Sequence, residues 1–150
     1  MPESVENLEI WKDGVKLAGS IHDLTRGWPA EERYGLTSQT RRAAVSIPAN
    51  IAEGVGRGGP REAARFARIA LGSLYELGTL LRLATDFDYI NTEGYEQLKP
   101  RIETLAKRIS AYIQYLRNRE GAGTSEKRST VQATNYKPRA TGVQELEDNE

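Results

Sequence analysis

The sequence predicts an all-α protein: an antiparallel up-down-up-down four-helix bundle over residues 1–118, followed by a disordered polar tail over 119–150. Three observations predict it. Apolar residues recur at helical spacing in four long segments. The connections between those segments are short and carry Gly, Pro, Asn and Asp. No stretch alternates with the two-residue period of a strand. At 150 residues the chain is expected to form one domain.

The first helix is expected from Asn7, a good N-cap, to about Arg26, where Gly27-Trp28-Pro29 is a stop signal. Two apolar rows run along it: Leu8, Trp11, Val15, Ala18, and Ile10, Gly14, Leu17, Ile21, Leu24. Together they make a face broader than a coiled-coil seam needs. Trp28, Tyr34 and Leu36 are expected to cap the bundle end, and Trp11 and Trp28 to be core residues.

The second helix should start at Thr37 or Ser38. Gln39, Arg42, Ser46, Asn50, Glu53 and Arg57 form its single polar row, while Ala43, Ala44, Val45, Ile47, Pro48, Ala49, Ile51 and Ala52 are small or apolar. Such a helix is expected to be buried on more than one side, by central placement or by packing on another chain. Pro48 removes the amide that would bond Ala44 and predicts a kink, with Ser46 beside it to hydrogen-bond a freed carbonyl. Gly54, Gly56, Gly58 and Gly59 then end the helix.

Pro60 suits the first turn of a third helix reaching about Thr85. Its expected core row is Phe66, Ile69, Ser73, Leu77, Leu80 and Ala84, with Ala70, Leu74 and Leu81 beside it. Arg61, Arg65, Arg68, Gly72, Tyr75, Thr79 and Arg82 form the opposite row. Asn91 or Thr92 should cap a fourth helix ending near Asn118, with a coiled-coil-like seam of Leu98, Ile102, Leu105, Ile109, Tyr112 and Leu116, widened by Tyr95 and Ile113. After Arg119 the periodicity stops, and Gly, Ser, Thr and charge dominate.

The run Arg41-Arg42-Ala43-Ala44-Val45-Ser46-Ile47-Pro48-Ala49-Asn50-Ile51-Ala52-Glu53-Gly54, followed by Arg65-Phe66-x-Arg68-Ile69-Ala70-Leu71-Gly72-Ser73-Leu74-Tyr75-Glu76-Leu77, resembles a known family. These are the four-helix-bundle proteins encoded in intervening sequences of bacterial large-subunit ribosomal RNA genes, to which the accessory variability determinants of diversity-generating retroelements are similar. The resemblance covers roughly Leu8 to Leu116, with order and spacing intact. It implies a homopentameric bundle associated with nucleic acid or ribonucleoprotein, and no established biochemical activity.

Composition narrows the function classes. The chain has no cysteine and one histidine, which excludes disulfides, thiolate metal sites and an intrachain His-rich metal or catalytic cluster. No apolar run approaches the ~20 residues of a membrane span. The acidic opening MPESVENLEI lacks the layout of a signal peptide, so a cytoplasmic location without membrane partners is expected. Net charge is zero but unevenly spread: residues 1–34 carry −3, residues 41–68 carry +4, residues 86–97 carry −4 and residues 99–119 carry +5.

Arg57, Arg61, Arg65 and Arg68, offset only by Glu62, are the candidate nucleic-acid-binding residues, extended by Lys107 and Arg108 and by Arg117 and Arg119. Arginine contacts to phosphate confer affinity without sequence reading. Arg41, Arg42, Ser46, Asn50, Glu53 and Glu76 read as a structural polar network rather than a catalytic set. Glu53 and Glu76 are expected to pair with Arg42 or Arg41, and Asn50 to bond backbone near Pro48. Gly54-Val55-Gly56-Arg57-Gly58-Gly59 formally matches GxGxxG, but a helix precedes it where a dinucleotide site needs a strand, so no cofactor is expected. His22 is expected at the core or its boundary, without a metal. The tyrosines read as packing and rim residues. The favoured function is a non-enzymatic oligomeric scaffold for RNA or DNA. The alternative is a protein–protein interaction module using the second helix and the tail, without nucleic acid.

Overall fold

The computed structural model describes the backbone of residues 3–134 and the side chains of residues 4–123. A short turn of helix, α1 (Glu3–Glu6), precedes four long helices: α2 (Glu9–Thr25), α3 (Leu36–Gly56), α4 (Pro60–Asp86) and α5 (Thr92–Thr134). A single 3₁₀ turn, Ala30–Glu32, lies between α2 and α3, and there is no strand among the described residues.

The long helices pack in a closed antiparallel ring. Arg41 of α3 reaches Thr25 of α2, while Gly14 of α2 faces Pro48. Ser46 of α3 bonds Ser73 of α4, while Gly54 meets Ala63 and Phe66. Gly78 of α4 faces Ile102 of α5. Ser20 and Asp13 of α2 meet Arg101 and Arg108 of α5 and close the ring. Leu17 and Ile21 from α2, Ile47 and Ile51 from α3, Leu74, Leu77 and Leu81 from α4, and Ile109 from α5 are almost fully buried at its centre. Burial stabilises each such side chain by about 1.5–3 kcal/mol relative to exposure.

The helix starts differ from expectation. Asn7 does not cap α2; Leu8 holds that position without a side-chain bond. Thr37 and Ser38 do not cap α3, which begins at Leu36. Its first amide is satisfied from upstream, Leu36 N–H donating to Glu32 Oε2 at 2.9 Å, while Glu32 Oε1 accepts from Tyr89 Oη at 3.2 Å. One carboxylate thus caps α3 and ties it to the α4–α5 turn. Asn91 does cap α5, accepting from Gly94 N–H at 2.7 Å. At the far end the α5 backbone continues past the expected stop near Asn118 to Thr134. The expectation of disorder over 135–150 lies outside the described residues.

Some expected core positions face outward. Val15, Ile69 and Val45 are 43%, 45% and 58% exposed, and Tyr34 is 90% exposed and caps nothing. Trp28 and Leu36 are buried as expected, Trp28 packing on Tyr89 with ring centroids 5.9 Å apart. His22 is exposed rather than at the core boundary.

The glycine run has two physical causes. Gly58 and Gly59 adopt φ of 79° and 82°, the left-handed region that turns α3 into α4. Gly54 is a packing residue: a Cβ there would lie 2.8 Å from Phe66 Cβ and 3.1 Å from Ala63 Cα, so its absence lets α3 and α4 approach.

Candidate nucleic-acid interface

Helical spacing puts Arg61, Arg65 and Arg68 on the exposed side of α4, and the tight α3–α4 turn brings Arg57 beside them. The close approach at Gly54 places Phe66 between two guanidinium groups. Arg57 Cζ lies 4.8 Å and Arg65 Cζ 5.5 Å from its ring centroid. A guanidinium over an aromatic face is held in orientation while its N–H edge stays open.

Acids offset part of this charge. Arg57 Nη2 pairs with Glu53 Oε1 at 2.9 Å, and Arg65 Nη1 with Glu62 Oε2 at 3.6 Å. Both pairs are exposed, so each is worth about 0–1 kcal/mol. Arg61 and Arg68 have no ion-pair partner among the described residues and present unshared charge to solvent.

The proposed extensions separate. Lys107 lines a groove of about 740 Å³ between α4 and α5, walled by Leu74, Tyr75, Tyr95 and Ile102. Arg108 faces the other side of α5, its Nη1 donating to Asp13 Oδ2 at 2.5 Å in the cleft between α2 and α5. It therefore does not join the α4 arginines. Arg117 and Arg119 are exposed on α5, and Arg119 stacks on Tyr115 with Cζ 5.7 Å from the ring centroid.

The polar network is rearranged from its expected pairing. Arg41 pairs with neither Glu53 nor Glu76. Its Nε donates to Thr25 Oγ1 at 2.7 Å and its Nη2 to His22 O at 3.4 Å, tying α3 to α2. Glu53 turns to Arg57, because an i,i+4 partner on the same helix lies closer than one across the bundle. Ser46 Oγ donates to Ser73 Oγ across α3 and α4 instead of to a freed carbonyl, and Asn50 Nδ2 bonds Ser46 O at 2.7 Å, as expected. Arg42 and Glu76 do not pair; they line a polar recess of about 590 Å³ with Tyr34, Ser38 and Gln39.

Reading the sequence missed the role of Phe66, which is at once core and platform for two arginines; the adjacency of Arg65 and Phe66 beside a glycine-ended helix was the available signal. It also missed Thr40, whose Oγ1 is buried without a partner among the described residues.

Few titrations are perturbed. Burial raises the Tyr112 phenol above its ordinary value, and burial together with the Glu32 hydrogen bond raises that of Tyr89. The hydrogen bond and charge of Lys12 lower Glu9. Among the described residues, no three His, Cys, Asp or Glu side chains gather as a metal site, and no helix is long and apolar enough to cross a membrane.

A closed four-helix ring with an arginine-bearing outer side defines a helical-bundle class, and the comparisons place the chain within it. The chain belongs to the 23S rRNA-intervening sequence protein family, whose model matches residues 6–111. Among solved structures, it is similar to a protein with unknown function from the S23 ribosomal protein family of Bacteroides thetaiotaomicron, with a TM-score of 0.64 and 23% sequence identity. That likeness covers 69% of this chain and 97% of the other, and at this identity shows the fold alone. Comparison with curated proteins returns no match. Neither the family nor the structural neighbour indicates a catalytic activity.

Proposed function

We propose that the protein is a non-enzymatic, oligomeric scaffold that holds a nucleic-acid phosphate backbone against the arginines of α4. The observation that carries this reading is the pairing state of the patch: Arg61 and Arg68 lack ion partners among the described residues, while Phe66 orients Arg57 and Arg65 beside them. Binding releases counterions from the backbone and reads no bases. The family's tie to ribosomal RNA genes favours RNA as the strand.

The oligomer is proposed on the outer faces of α3 and α4. Val45 and Ile69 are large apolar side chains left open there, with Ala49 exposed on the same side of α3 as Val45. A homopentamer, as the family resemblance implies, would repeat the patch five times and sum its field. The combined substitution Arg61→Glu, Arg65→Glu and Arg68→Glu tests the reading. RNA binding should be abolished with helicity unchanged by circular dichroism; unchanged affinity would reduce the patch to a solvated face.

The exposed Val45 also favours a second reading, in which α3 docks a different protein and no nucleic acid is involved. Salt separates the two, since apolar docking does not weaken steeply with ionic strength.

A further inference from the structure

At the opposite end of α3 from the α4 arginines lies a further cavity, about 320 Å³, where α2, the 3₁₀ turn and α3 meet. Arg26, Arg33 and Arg41 line it, together with Trp28 and Thr37, and no lining residue is a carboxylate. We propose that this cavity is a binding site for a phosphate monoester group.

The charge is concentrated and held. Arg41 is half-buried, and its Nε and Nη2 bonds to Thr25 and His22 fix the guanidinium in place. A guanidinium has five N–H donors, so about three of these remain for an anion. Arg33 has no ion pair among the described residues; its Cζ lies 5.8 Å from the Tyr34 ring centroid. Arg26 has only a long contact, 4.0 Å, to Asp23. The neighbouring carboxylate Glu32 is occupied by Leu36 N–H and the Tyr89 hydroxyl.

Trp28 is 7% exposed, and its Nε1–H is buried with no acceptor among the described residues. A buried donor without an acceptor is costly, and the indole lies in the cavity wall, where it reports on what binds there. Thr37, buried beside it, adds a hydroxyl with no hydrogen bond among the described residues. Three guanidiniums suit a dianion better than a monocarboxylate, and arginine forks match phosphate oxygens in pairs. Along α3 the cavity lies roughly 15–30 Å from the α4 arginines, because α4 runs back beside α3, and this inference does not depend on the nucleic-acid reading. The phosphate would belong to a free phosphorylated metabolite or to the terminal phosphate of a strand.

The chain has two tryptophans, so Trp11→Phe leaves Trp28 as the sole indole reporter. Its emission is followed while inorganic phosphate or ribose 5-phosphate is added at ionic strength held constant with sodium chloride. The expected result is a saturable change, with apparent Kd raised at least about tenfold by the double substitution Arg26→Ala and Arg33→Ala, a loss that one charge-assisted contact accounts for. Both are exposed rim residues, so folding is preserved. Displacement of ribose 5-phosphate by a 5′-phosphorylated oligonucleotide but not its 5′-hydroxyl counterpart assigns the site to strand ends. Displacement by neither assigns it to a small metabolite. No saturable change, an equal change with acetate, or an unchanged Kd in the double variant overturns the proposal. The triple glutamate variant of α4 should bind phosphate here normally, so the two readings fail separately.

Discussion

Gly54→Ala puts the close approach of α3 and α4 under direct strain. The added Cβ would lie 2.8 Å from Phe66 Cβ, 3.1 Å from Ala63 Cα and 3.2 Å from Ala63 O. Two of these are backbone atoms of α4, so no side-chain rotation relieves the clash. Overpacking of this kind costs about 3 kcal/mol at the upper end of its usual range. Alanine recovers about 1 kcal/mol of helix propensity over glycine. The net loss is about 2 kcal/mol, or a fall in Tm of about 4–8 °C for a chain of this size. Thermal and urea melts at matched protein concentration measure it, with Gly56→Ala as control because nothing lies within 4 Å of a Cβ at Gly56. That control should be neutral or gain up to about 1 kcal/mol. A Gly54→Ala protein as stable as wild type would refute the close contact, and with it the placement of Phe66 beneath Arg57 and Arg65.

The remaining predictions probe separate parts of the molecule. Thr40→Val removes a buried hydroxyl without a partner and should stabilise by about 1 kcal/mol, read as a higher urea midpoint at unchanged m-value. Because burial raises the Tyr112 pKa above 10.0, the unfolded chain loses that proton first, so this contribution is intact below about pH 10 and falls as pH climbs further. Melts across pH 9–11.5 should therefore decline less steeply for Tyr112→Phe than for wild type. Light scattering should give a mass near five chains for wild type, and Val45→Asp should shift it toward the monomer; a monomeric wild type would remove the oligomer from the account.

Most of the fold was legible because burial and periodicity coincide in α4 and α5. Leu98, Leu105, Ile109 and Leu116 sit in the core as their spacing implies, and Tyr112 and Ile102 lie at its edge. The family resemblance, read from the α3 and α4 runs, agrees with the matched residues 6–111. Legibility failed where two apolar rows competed for one core. Ile69 and Val15 fit a helical row but fall on its outer flank, and only the angle at which helices meet decides which row is buried. The α3 cap was hidden because Glu32 acts from a separate turn. The pairing of the polar network depended on which carboxylate lay nearest, so Glu53 chose Arg57 and Arg41 chose Thr25. Arg108 was grouped with the patch by charge alone, whereas its direction on α5 sends it to Asp13.

The salt dependence of RNA binding tests the central claim most directly. Anisotropy of a labelled single-stranded RNA, titrated with protein at several salt concentrations, gives the slope of log K against log salt. Each phosphate contact contributes about −0.7 for single strands, so a patch of oriented arginines predicts a steep negative slope. The slope should flatten in the Arg61→Glu, Arg65→Glu, Arg68→Glu protein and be indifferent to RNA sequence. Affinity that ignores salt, or a slope unchanged in that variant, would contradict the account.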